Sequence, residues 1–152
     1  AAVTFFDTDR RFTVRLTVDL TGLGTAIDRR LASPNYFYAI RVTGKFATLQ
    51  TRSVAKQTEP YPALATAVAG QRTFDLRHVT GTLVGIRSPQ YVGSMNVPGY
   101  HWHFITKSGK AGGHVLQMSA ADLRVATDET RNWHVELPQT AAFGDAGLVP
   151  GP

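Results

Sequence analysis

Apolar and polar residues alternate from Val3 to Val18 (VTFFDTDRRFTVRLTV), the two-residue period of strands with one buried face, and the polar break at Asp7 to Arg10 predicts a hairpin. Leu23, Ile27 and Leu31 then recur at spacings of four, which predicts a short amphipathic helix between Thr21 and Leu31, weakened by Gly22 and Gly24 and ended by Pro34. Tyr36 to Val54 is β-rich throughout, with a turn signal at Thr43-Gly44-Lys45, and reads as a second hairpin. The stretch QTEPYPALATAVAG opens with two prolines and ends at Gly70, the signature of a short helix with a primed first turn and a capped end. Alternation resumes from Phe74 to Ile86 around Gly81 and stops at Ser88-Pro89. Tyr100 to Thr106, His114 to Ser119, Leu123 to Thr127 and Trp133 to Leu137 supply the last predicted strands, and the Gly/Pro-rich residues after Pro138 form an irregular tail. The expected fold class is α+β: a mostly antiparallel, strongly bent β-sheet with two short helices, in a single domain over residues 1–152.

Composition narrows the chemistry. With 152 residues and 43% hydrophobic content, the chain is long enough for one sizeable core, and its 18% charged residues argue against disorder. The net charge of +5 comes from scattered arginines that form no run or helical stripe, so no nucleic-acid partner is expected, and a small carboxylate substrate suits the charge equally well. There is no cysteine, so any metal must be held by His, Asp or Glu. No apolar stretch approaches the length of a membrane span, so no membrane partner is expected and the default compartment is the cytoplasm, a processed secreted form being compatible with the same features.

Three of the five histidines fall in one run, GYHWHFITKSGKAGGHVL. On a strand, residues two apart share a face, so His101 and His103 point the same way and Trp102 the other. KSGKAGG has turn chemistry, and a reversal centred on Ser108-Gly109 places His103 directly opposite His114, with Cβ atoms about 5 Å apart. Three imidazoles on one face with no fourth protein ligand nearby describe the open coordination shell of a catalytic metal rather than a closed structural site. A one-residue slip of register turns His114 to the wrong face, leaving only surface histidines on a hairpin. The His-x-His pair also resembles that of cupins, but the glutamate those sites place shortly afterwards is missing from Phe104 to Lys110. His78 and His134 stand singly in strand-like stretches and are read as structural or exposed.

The runs FYAIRVTGKFATLQTRSVAKQTEPYP, GTLVGIRSPQYVGSMNVPGYHWHF and GGHVL closely resemble the bacterial acetolactate decarboxylase family, in content and in order. What the resemblance implies is a zinc enzyme that converts 2-acetolactate to acetoin through a metal-stabilised enediolate. Its three zinc-binding histidines match His101, His103 and His114, and an active-site arginine falls on Arg52 in TRSV. Arg52 would grip the substrate carboxylate with its planar fork. The family's usual chain is longer, with one metal-site glutamate in an LDGE-like stretch before the matched region and a second near the end of a C-terminal helix. Neither falls on Glu59, Glu129 or Glu136, the glutamates present here. The rival expectation is therefore a zinc-binding relative that serves as a binding or scaffold module. A homodimer is also expected, since the shorter form leaves a sheet edge or apolar face uncovered.

Overall fold

A computed structural model describes residues 4–59, 61–93, 96–145 and 147. Along the chain come β1 (Arg10–Val14), α1 (Leu20–Asp28), β2 (Phe37–Ser53), α2 (Leu64–Ala69), β3 (Arg72–Ser88), a single 3-10 turn (Gln90–Val92), β4 (Gly99–Thr106), β5 (Gly112–Ala120), β6 (Leu123–Thr130) and the one-turn α3 (Ala141–Gly144). The six strands form one antiparallel sheet in the order β1-β6-β2-β3-β4-β5, and β5 also pairs back onto β2. The expected α+β class with a strongly bent antiparallel sheet is what is found.

The bend has an identifiable origin in β2. One edge of this 17-residue strand pairs with β3 along its length, while its other edge takes β6 over Phe37 to Thr43 and β5 over Phe46 to Arg52. The ladder β2-β3-β4-β5 thereby closes on itself. A walk across it from Arg41 passes through Val84, His103 and His114 and returns to β2 at Arg52, eleven residues further along. A stagger that large means strands steeply tilted to the axis of the closed circuit. At Ala47 the ladder skips from Phe46↔Val79 to Thr48↔Arg77, and His78 opposite takes a φ of 51°. Burial along β2 changes parity there, from Phe46 before the irregularity to Leu49 and Thr51 after it, so the strand turns and keeps one face inward. A second irregularity leaves Leu116 unpaired between Val115 and Gln117, and allows both Val115 and Met118 to reach the core.

Three sequence expectations are corrected by the structure. Thr43-Gly44-Lys45 is not a turn: the strand runs straight through it. A Cβ at Gly44 would lie 2.7 Å from Leu123 Cδ2, so the glycine makes room for the buried side chain at the start of the paired strand β6. The proposed N-terminal hairpin is a lone strand, β1, paired with β6 rather than with residues 4–9, and Val3 lies outside the described residues. Trp133 to Leu137 is likewise not a strand, although Trp133 packs its ring 4.6 Å from that of Phe37.

Helix α1 closes one end of the core. Asp19 caps it by accepting a hydrogen bond from Gly22 N–H at 2.7 Å, and Leu23 and Ile27 are fully buried, each worth about 1.5–3 kcal/mol of transfer free energy. They share one buried cluster with Val42, Phe46, Leu83, Trp102 and Phe104 of the sheet. Asp28 at the helix end takes a hydrogen bond from Tyr100 Oη at 2.8 Å and an ion pair from Arg87 at 3.0 Å, which ties the helix to adjacent positions on β3 and β4. The start of β4 is thus anchored one residue before His101.

Candidate metal centre

Because Trp102 and Phe104 are committed to the core, the intervening His101 and His103 must project from the other face of β4. Lys107 to Ala111 make the turn, with Gly109 at φ 71° donating to the Thr106 carbonyl, and the return strand sets His114 opposite His103. The register is the one expected from the hairpin's centre.

The three rings converge. His101 Nε2 lies 3.0 Å from His114 Nδ1 and 3.2 Å from His103 Nε2, and one ligand nitrogen from each ring falls within 4.8 Å of the others. Zinc bound tetrahedrally at about 2.05 Å separates its nitrogen ligands by about 3.3 Å, so two of the three edges already match an ion-centred arrangement. The electrostatics suit a cation only when the rings are neutral, and the surroundings of His103 and His114 favour that form. Burial, then the Arg52 guanidinium and the other two histidines, push His114 down to about 4. Burial, His101 and Arg52 likewise hold His103 below the ordinary imidazole range. Lone pairs are therefore available at neutral pH without prior loss of a proton from these two rings.

Arg52 is the cross-strand partner of His114, on the same face of the sheet. Its Nη1 donates to Gln71 Oε1 at 2.8 Å, a neutral acceptor that orients the guanidinium without cancelling its charge. Gln71 carried no signal in the sequence: it sits just after Gly70 and reaches Arg52 only because β3 starts beside the end of β2. On the other side of the triad, a cleft of about 810 Å³ runs over Ala39, Arg41, Val84 and Ile86, walled by His101 and His103 and by Trp133 and Glu136 of the C-terminal segment. His134 also lines this cleft, away from the triad, while His78 is exposed on β3 at the irregularity described above. Among the described residues, His101, His103 and His114 are the one cluster of potential ligands close enough to share an ion.

Comparison with known proteins points in the same direction. The family described as Alpha-acetolactate decarboxylase matches residues 1–150. An alpha-acetolactate decarboxylase of Methanosarcina mazei is 44% identical over 148 residues, covering 97% of this chain and 51% of that protein. One from Methylococcus capsulatus is 40% identical over 149 residues, covering 98% of this chain and 57% of its own length. The crystal structure of acetolactate decarboxylase from Bacillus subtilis subspecies spizizenii superposes with a TM-score of 0.92 at 37% identity, over 97% of this chain and 63% of that one. The chain thus spans about half the length of the curated relatives it matches.

Proposed function

The chain belongs to the alpha-acetolactate decarboxylase family, and on that premise we propose that it carries the metal centre of a carboxy-lyase acting on 2-acetolactate or a related 2-hydroxy-3-keto acid. The observation that carries the reading is the convergence of three imidazole nitrogens, two of them on rings held neutral, beside an arginine on the same sheet face. Three nitrogen ligands at these spacings, with no thiolate, fit zinc and leave coordination positions open on the exposed side. When bound, the ion supplies a Lewis acid for the electron pair left behind as carbon dioxide departs.

The residues of the chain do the rest by position. His101, His103 and His114 would hold the ion, and two of them wall the cleft in which an α-hydroxy ketone would present its hydroxyl and ketone oxygens. Arg52 is fixed by Gln71 through one N–H and keeps other donors for a carboxylate, which it orients for cleavage of the bond to the carbinol carbon. The apolar floor of Ala39, Val84 and Ile86 limits the water near the reacting centre. We propose further that the protein pairs with itself: β4 covers only Gly81 to Ser88 of β3, which leaves that edge of β3 open from Arg72 to Val79.

Metal analysis of the purified protein with an acetoin assay on racemic acetolactate tests this. About one zinc per chain, lost in His103→Ala, together with acetoin formation is the expected result. Bound metal without turnover would leave only a metal-binding module, and an unchanged metal content in His103→Ala would remove the site.

A further inference from the structure

The two residues before His114 are glycines, and the structure gives each a separate reason. A Cβ on Gly112 would stand 2.3 Å from the Phe104 carbonyl oxygen, which is backbone of β4. A Cβ on Gly113 would stand 2.7 Å from the Arg52 carbonyl oxygen, which is backbone of β2, and 3.3 Å from Thr51 Cβ. Gly113 also has a φ of 146°, where a side chain is strained whatever the space. Neither clash can be relieved by turning a flexible side-chain end, because the obstructing atom is main chain in both cases. β5 must move away from β4 to admit a side chain at position 112, and away from β2 to admit one at position 113.

His114 has its ring partners on those same two neighbours. Across β4 it faces His103, and across β2 it faces Arg52. We propose that Gly112 and Gly113 are positioning residues of the metal centre: by holding β5 closer to both flanking strands than any side chain permits, they set the His103 to His114 and the Arg52 to His114 separations. Imidazole nitrogens tolerate only a few tenths of an ångström of error around a small cation, so a displacement that the sheet survives is one that the site does not. The inference rests on the three histidines being the metal ligands, and it adds to that reading what keeps them at ligand spacing.

The test is zinc affinity of the metal-free protein, measured by competition with a chromophoric chelator, alongside the visible spectrum of the cobalt(II)-loaded form. Gly112→Ala and Gly113→Ala are each compared with the wild type and with Gly44→Ala. The last introduces a close contact on another ladder, with the buried side-chain end of Leu123 rather than with main chain. The expected result is a tenfold or greater loss of zinc affinity and an altered cobalt spectrum in both site variants, each retaining the wild-type far-ultraviolet circular dichroism, while Gly44→Ala melts earlier yet binds zinc within about threefold of wild type. Wild-type affinity in the two site variants overturns the proposal. So does loss of their circular dichroism, which would make the glycines supports of the whole fold. A wild-type protein that binds no zinc would instead overturn the metal reading on which the proposal rests.

Discussion

Thr51 sits beside Arg52 on β2 with its side chain turned inward, fully buried, and its Oγ1 has no hydrogen-bond partner in the protein among the described residues. Leaving a buried hydroxyl unsatisfied costs about 1–3 kcal/mol, so exchanging it for a methyl group of nearly the same shape should stabilise the fold by about 1–2 kcal/mol. Valine also keeps the β-branch that suits a strand. Thr51→Ser retains the hydroxyl and loses one methyl, which should cost about 1 kcal/mol or slightly more with the small cavity it leaves. Thr51→Ala loses both groups, and the two effects nearly cancel. The expected order of stability is Val above wild type, Ala close to wild type, and Ser lowest. Urea titration reads these differences directly, and at this chain length thermal midpoints should move by about 2–4 °C per kcal/mol. If Thr51→Val unfolds more easily than wild type while Thr51→Ser does not, the hydroxyl is satisfied and the reasoning fails.

Arg52→Lys should keep the positive charge but lose the two-pronged grip, lowering decarboxylation by about tenfold or more with little change in melting temperature; steady-state kinetics giving wild-type kcat/KM would argue against a carboxylate contact. The metal-free protein should lose stability as pH falls from about 6.5 towards 4. In that window the unfolded imidazole of His114, near 6.5, takes up its proton before the folded one at about 4 does, so the stabilisation is complete above 6.5 and fades below it. His103 acts in the same direction, and His114→Gln should flatten the decline measured by urea titrations across that range. Self-association should appear in sedimentation velocity as a concentration-dependent dimer, and a clean monomer at high concentration would rule it out.

The histidine cluster was legible because its information is local. Alternation around Trp102 assigns a face to His101 and His103, and the symmetry of the KSGKAGG turn assigns the partner of His103, so both follow from neighbours in the chain. Gly44 shows where such reading stops. A glycine between two β-rich stretches looks the same whether it turns the chain or makes room for a side chain of a neighbouring strand, and the decision belongs to Leu123, distant in sequence. The same holds for Gln71, whose contact with Arg52 depends on how β2 and β3 are joined rather than on the residues around it. Residues 4–9 and 131–137 have the composition of strands but join no ladder, the outer side of β6 being taken by β1. Tertiary placement, rather than local preference, decided these segments.

The closed ladder also divides the site between a local pairing and a long-range one. The β4-β5 hairpin gathers all three histidines within a short stretch of chain, so its loop-closure entropy is small and it can form early. The pairing of Arg52 with His114 joins segments far apart in the chain, and it forms only when β5 docks on β2 and the circuit shuts. The three candidate ligands are therefore brought together by local pairing alone, whereas Arg52 joins them only through a long-range ladder.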